Sequence, residues 1–170
     1  LDPGDNSLVL GLMWYNGTKT AEAGASYFSS RGFACMPRVP PAEYREGAGN
    51  VAWAAVHNQF FTLAAMPEHP GSQVVLRKIN LPLPTGEAAR VGATNAPPRE
   101  GYEGALVYPA LTLAPGQVST NQVFLFAGPK EYQTLARIGG RFNNNIDLVM
   151  GYGGFFGFFA KALLLAMNWL

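Results

Sequence analysis

Two histidines, His57 and His69, are the side chains of this sequence best suited to acid–base or metal chemistry. Glu68 stands beside the second, so a metal site or a His/Glu pair is conceivable. Ligands and bases act in geometric sets, however, and a predicted strand and a proline turn separate the two histidines. We therefore expect His57 to be a strand residue and His69 a loop residue. We predict no catalytic residue, no metal site and no cofactor.

Other motifs with recognisable chemistry are missing from the sequence. It has no G-x-S-x-G motif, Walker-type loop, zinc-ligand spacing or dinucleotide fingerprint. Its single cysteine, Cys35, excludes an internal disulfide and a multi-cysteine metal site. The chain has 12 basic and 11 acidic residues with no basic tract, so nucleic acid is not an expected partner.

Aromatic side chains could instead stack on a sugar, and the candidates are Trp14, Tyr15, Tyr44 and Trp53. A carbohydrate-binding module therefore stays open as an alternative. The alternation of these residues within predicted strands favours core packing for the two tryptophans.

Alternating apolar residues predict a chain built mainly of strands. The 170 residues, 48% of them hydrophobic, suit one domain. Predicted strands cover residues 7–15, 51–57, 60–66, 73–79, 104–113 and 117–126, with a helix as the alternative for 51–57 and 60–66. Asn16-Gly17 signals a turn. Ala114-Pro115-Gly116 signals another, so the last two strands are expected to form a β-hairpin.

One short helix is predicted over residues 129–138. Pro129 suits a first helical position, and apolar residues then recur at helical spacing. Gly139-Gly140 is expected to end the helix in a left-handed turn. The asparagines at 143–145 tolerate positive φ and predict a turn-rich connector.

The last twenty residues, 151–170, form an apolar run whose only charge is Lys161. Such a run is about long enough to span a bilayer as a helix, and it could also lie at the membrane interface. A buried core helix is the alternative. We expect membrane contact through Phe155, Phe156, Phe158, Phe159, Lys161, Leu163, Leu164 and Trp169.

Four blocks of the sequence resemble the periplasmic domain of YidC membrane protein insertases (the YidC/Oxa/Alb family). They are GNVAWAAVHNQFFTLAAMP at 49–67, LAPGQ at 113–117, FAGPKE at 126–131 and DLVMGYG followed by FFGFFAKALL at 147–164. The blocks stand in the family's order. Two positions depart from the family pattern: Gly151 replaces an aspartate, and Ala162 replaces a proline, which should leave that helix straighter.

The resemblance implies a mainly β fold, a supersandwich of the galactose-mutarotase type with a short C-terminal helix and an apolar membrane-proximal helix. It divides the chain into a β-sandwich (1–127, incomplete at its N-terminus), a helix and connector (128–150) and the apolar helix (151–170). The hinge and motif residues it implies are Gly128, Pro129, Asp147, Tyr152 and Gly153.

The function that the resemblance implies is that of a non-enzymatic periplasmic domain at the bacterial inner membrane, assisting insertion and folding of membrane proteins. The partners would be the lipid bilayer, nascent membrane proteins and components of the Sec translocon. The transmembrane bundle would follow Leu170. Because the implied fold also occurs in sugar mutarotases, a mutarotase-like enzyme is a further alternative, which would need a histidine facing a carboxylate in a pocket.

Overall fold

Two antiparallel sheets and one α-helix make up the part of the chain that the computed structural model describes, residues 11–28, 39, 41–47, 49–81 and 99–151. The strands are β1 (Gly11–Tyr15), β2 (Thr20–Gly24), β3 (Glu43–Glu46), β4 (Trp53–His57), β5 (Phe61–Pro67), β6 (Gln73–Leu81), β7 (Arg99–Val107) and β8 (Val123–Pro129). The α-helix is α1 (Tyr132–Phe142), and short 3-10 helices cover Ala25–Phe28 and Ile146–Met150. The mainly β prediction is confirmed.

Sheet A has five strands in the order β2-β1-β4-β5-β8, and sheet B has three in the order β3-β6-β7. The β1–β2 hairpin turns at Asn16, whose side-chain oxygen accepts hydrogen bonds from the backbone N–H groups of Thr18 and Lys19. Gly17 takes a φ of +88° in this turn, a conformation that favours glycine. The predicted turn at Asn16-Gly17 is therefore confirmed.

One face of sheet A, here called the helix face, is covered by α1 and the second 3-10 helix. Side chains from β1, β4 and β5 alternate into this core, and Leu135, Ile146 and Val149 enter it from the helical layer. The buried members are Met13, Tyr15, Trp53, Ala55, Ala64, Met66, Leu135, Ile146 and Val149.

The opposite face, here called the groove face, is covered by sheet B only in part. A second core joins Leu12, Trp14 and Ala54 of sheet A to Val74 and Leu76 of sheet B. Gly104 of β7 marks the closest approach, since a Cβ there would stand 2.9 Å from Val56 Cγ2 and 3.0 Å from Leu12 Cδ1.

Four of the predicted strands correspond to β1, β4, β5 and β6, but the predicted late hairpin is wrong. Gln117 does close a turn by donating its N–H to the carbonyl of Ala114, 3.0 Å away. The residues on either side of that turn, 108–113 and 117–122, are not strands. The predicted strands at 104–113 and 117–126 overlap β7 and β8 only in part. β7 pairs with β6 in sheet B and β8 pairs with β5 in sheet A, so β7 and β8 do not pair with each other.

The predicted helix exists, but both of its predicted ends are wrong. Pro129 is the last residue of β8, and the helix begins two residues after Lys130. It passes through Gly139 and Gly140 and ends where Asn143 adopts a φ of 50°. Asn145 has the same φ, so the prediction of positive φ in this connector is confirmed. Among the helices of the described ranges, none is long and apolar enough to cross a membrane.

Candidate functional site

An apolar stretch of the groove face lies beyond the reach of sheet B. It belongs to β5 and β8, where the odd-numbered residues of both strands point to the same side. Leu63 is 55% exposed and Leu125 is 71% exposed, while Phe61 and Val123 are also open to solvent. Large apolar side chains contiguous on one face, rather than scattered, indicate a surface that meets another apolar group.

This stretch is the floor of a groove of about 630 Å³, a size within the range of ligand sites. The wall is β7, the last strand of sheet B. Glu103 is the one charged side chain among its lining residues in the described ranges. The lining consists of Leu12, Ala54, Val56, Leu63, Ala64, Ala65, Ile79, Tyr102, Glu103, Gly104, Ala105, Leu106, Tyr108, Val123 and Leu125. Such a groove suits apolar groups.

Tyr108 supplies a polar group to this otherwise apolar groove. Its hydroxyl is buried and has no hydrogen-bond partner among the described residues. Burial raises the pKa of this phenol further above neutral pH.

A short junction connects the end of β8 to the start of α1. Pro129 pairs with Phe61, and the N–H of Lys130 donates to the carbonyl of Phe60 at 2.7 Å. Glu131 then precedes α1, and its carboxylate accepts a hydrogen bond from the Thr134 hydroxyl. Only two residues, Lys130 and Glu131, thus separate the strand from the helix.

The connector after α1 is held against the helix face of sheet A by two side-chain hydrogen bonds. The indole N–H of Trp53 donates to the carbonyl of Asn144 at 2.7 Å within the core. The side-chain amide of Asn145 donates to the hydroxyl of Tyr15 at 3.1 Å. The left-handed conformations of Asn143 and Asn145 bring these groups into place.

His57 sits at the end of β4 on the helix face, away from the groove. The Lys130 Nζ atom lies 3.0 Å from His57 Nδ1, and Glu22 Oε1 lies 3.5 Å from Nε2. Burial of the ring, and after it the Lys130 charge, lower the pKa of His57 to about 4, while a hydrogen bond with the Asn58 backbone acts in the raising direction. Burial also lowers the pKa of Lys130, which the Glu22 charge opposes. His57 is therefore neutral at pH 7 and accepts a hydrogen bond from Lys130.

The structure does not join the two histidines. His57 is a strand residue and His69 lies exposed in the turn between β5 and β6, as the sequence predicted. No group of three or more potential metal ligands occurs within the ranges that the structure describes.

The candidate sugar-stacking aromatics are mostly core residues. Trp14, Tyr15 and Trp53 are buried, which confirms the packing predicted for the two tryptophans. Tyr44 is half-buried, with its ring 5.5 Å from that of Trp14. These rings do not form an open stacking platform.

Three of the predicted motif residues are described. Gly128 and Pro129 end β8, and Asp147 lies in the second 3-10 helix, where its Oδ1 would stand 3.6 Å from a Cβ placed at Gly139. The other motif residues and all of the predicted membrane-contacting residues lie outside the described residues: Tyr152, Gly153, Phe155, Phe156, Phe158, Phe159, Lys161, Leu163, Leu164 and Trp169.

The sequence analysis did not predict the groove. The available signal was the sequence VFLFA at 123–127, which is apolar at consecutive positions and therefore on both faces of a strand. On the helix face of β8, Phe124 and Phe126 pack toward α1. The other face forms the groove floor.

A family model described as the YidC periplasmic domain matches residues 11–166. The match covers both sheets, α1 and the connector. No curated protein and no solved structure matches the chain.

Proposed function

The chain belongs to the YidC periplasmic domain family, and from that membership we propose that it is a non-enzymatic domain of an inner-membrane insertase. It assists the insertion and folding of nascent membrane proteins, alone or with components of the Sec translocon. The observation that carries this proposal beyond the family is the apolar floor formed by β5 and β8, which sheet B does not cover within the described residues. A surface of this kind suits contact with the apolar segments of such proteins.

The proposal assigns the three parts of the chain different tasks. Residues 1–127 form the sandwich, which extends to a supersandwich of the galactose-mutarotase type, and residues 128–150 connect it to the apolar segment at 151–170. The packing of two antiparallel sheets face to face supports the first assignment. The composition of residues 151–170, with Lys161 as their only charge, supports membrane contact for the last.

The membrane part of the proposal is tested by flotation of the full chain with vesicles of phosphatidylethanolamine and phosphatidylglycerol. We expect the chain to float with the vesicles and the double substitution Phe155→Ser with Phe159→Ser to reduce the floating fraction several-fold. Phe60→Ser is the matched control, because Phe60 is 61% exposed in the β4–β5 turn and lies outside the segment. Equal flotation of all three proteins, or of none, would refute membrane contact by this segment.

The client part of the proposal is tested by photo-crosslinking within the whole insertase in cells that synthesise an arrested inner-membrane protein. A photoreactive residue at position 125, on the groove floor, should form a crosslink to the arrested chain. The same residue at position 118 is the control, since Val118 is 83% exposed but does not line the groove. Crosslinks of equal yield at the two positions would contradict a role for the groove. A crosslink from position 125 to a Sec component would instead identify that component as the partner at this surface.

A further inference from the structure

A cluster of three ionisable side chains links sheet A to the junction that precedes α1. His57 is buried at the end of β4. The Lys130 Nζ atom lies 3.0 Å from its Nδ1, and Glu22 Oε1 of β2 lies 3.5 Å from its Nε2. These three residues, here called the junction cluster, bring two strands of sheet A into contact with the first residue after β8.

The backbone beside the junction cluster is held by other bonds. In the β4–β5 turn the side-chain oxygen of Asn58 accepts hydrogen bonds from the N–H groups of Phe60 and Phe61. The carbonyl of Phe60 in turn accepts the N–H of Lys130 at 2.7 Å. Lys130 is therefore fixed at its backbone, and its side chain is the part of the residue that can move away from His57.

The two ends of the helical layer are attached to sheet A by different chemistry. At the connector end, the indole N–H of Trp53 donates to the Asn144 carbonyl at 2.7 Å, and neither group gains or loses a proton near neutral pH. At the junction end, the polar attachment is the contact between Lys130 and His57, and Leu135 is the buried side chain of α1 nearest to it. The junction end therefore carries a titratable attachment, whereas this bond at the connector end is not titratable.

Within the described ranges, the charged groups that face the His57 ring come from two elements. Glu22 faces it from β2 and Lys130 from the junction, while β1 and β5 present Gly11 and Thr62 beside it. The other titratable residues of the junction and the helical layer form no hydrogen bond or ion pair with His57: Glu131, Tyr132, Arg137, Arg141 and Asp147. A proton on the ring would therefore meet one positive and one negative neighbour.

We propose that the junction cluster is a pH-sensitive attachment, which holds the start of α1 on sheet A at neutral pH and releases it in acid while the connector end stays attached. Protonation of His57 removes the lone pair that accepts the hydrogen bond from Lys130 and places two positive charges 3.0 Å apart. Glu22 can pair with the charged ring, so the half-buried Lys130 is the group that is displaced. This inference does not depend on the insertase role proposed above.

The pH range of the release follows from the environment of the ring. In the attached state, burial and after it the Lys130 charge lower the pKa of His57 to about 4. Once Lys130 has moved away, the ring loses the facing charge, and its pKa rises toward the ordinary histidine value. The released state therefore binds more protons than the attached state as the pH falls below neutral, and release becomes more favourable by at most about tenfold for each pH unit.

Hydrogen exchange of the full chain, measured by mass spectrometry and corrected for the intrinsic pH dependence of amide exchange, tests the proposal. The amide of Leu135 donates to the Glu131 carbonyl in the first turn of α1 and reports on the junction end. The amide of Leu148 donates to the Asn145 carbonyl and reports on the connector end. Between pH 7 and pH 5, protection at the junction end should fall about tenfold, and protection at the connector end should stay constant.

Matched variants identify the contact responsible. Lys130→Met keeps the aliphatic stem and removes the ammonium group, so protection at the junction end should no longer depend on pH. His57→Gln removes the titratable ring and should have the same effect. Lys19→Met is the control for the loss of a lysine, because Lys19 is exposed in the β1–β2 turn, and it should keep the wild-type fall in protection.

Two results would overturn the proposal. A fall in protection of equal size at both ends of the helical layer and in the strands of sheet A would show that acid destabilises the whole domain without releasing one end. A Lys130→Met protein that loses protection at the junction end as the wild-type protein does would show that the contact with His57 is not the attachment.

Discussion

Acidification should destabilise the fold through His57. The pKa of this histidine is about 4 in the folded protein, because its ring is buried and faces the Lys130 ammonium, whereas the unfolded chain has the ordinary histidine pKa of 6.5. Between these two values the unfolded chain binds more protons than the folded one. The stability that the folded protein has with His57 neutral is therefore fully present above pH 6.5, and it is lost as the pH falls toward 4.

The magnitude follows from the two pKa values. Between pH 7.5 and pH 4.5 the linkage relation gives a loss of about 2–3 kcal/mol from this one group. Urea unfolding of the full chain, followed by tryptophan fluorescence at both pH values, measures the total change. Carboxylates also titrate in this range, so the quantity to compare is the difference between the wild-type protein and His57→Gln.

His57→Gln should remove roughly 2 kcal/mol of the pH dependence, although it also lowers stability at pH 7.5 by disturbing the contact with Lys130. His69→Gln is the matched control and should keep the wild-type dependence, because that side chain is exposed in the turn. Lys130→Met should reduce the dependence, since removing the facing charge raises the pKa of His57. A pH dependence that is the same in the wild-type protein and His57→Gln would refute the linkage.

Three further substitutions test the packing that positions the groove and the connector. Trp53→Phe leaves the buried Asn144 carbonyl without the indole N–H that donates to it at 2.7 Å. Urea unfolding should show a free energy of unfolding lower by about 2–3 kcal/mol. A loss below the measurement error would contradict a structural role for this hydrogen bond. Gly104→Ala forces a Cβ to within 2.9 Å of Val56 and should cost about 1–3 kcal/mol in the same assay. Gly140→Ala is its counterpart in open space within α1 and should instead stabilise the protein by about 0.5–1 kcal/mol; destabilisation there would show that the helix does not continue through this position.

Local sequence signals predicted β1, β4, β5 and β6 because each contains consecutive or alternating apolar residues. They failed for the late hairpin. The turn at Pro115-Gly116 is real, but β7 and β8 are paired to strands far away in the chain, and a local turn signal carries no information about such pairing. The helix end was wrong for a related reason. Leu135 and Ile146 pack against sheet A, and this tertiary packing outweighs the low helix propensity of Gly139 and Gly140.

Part of the candidate site was likewise named from the sequence, and part of it was not. Gly128, Pro129 and Asp147 were named from a motif; Gly128 and Pro129 are the last residues of β8, and Asp147 lies in the second 3-10 helix, on the other side of α1. The groove depends on sheet B having three strands against the five of sheet A in the part of the chain that the structure describes, and no residue pattern indicates that difference. The apolar alternation at Leu63 and Leu125 could equally belong to a fully covered strand.

The two hydrogen bonds that hold the connector have a mechanical consequence. A pull on the chain at Gly151 would be transmitted to sheet A through the buried 3-10 helix and the contacts of Asn144 with Trp53 and of Asn145 with Tyr15. Trp53 and Tyr15 lie on neighbouring strands in the interior of sheet A, so the load would be spread over several ladders of backbone hydrogen bonds in shear. The connector therefore acts as a stiff coupling, and the sandwich should follow a displacement at this end as one body.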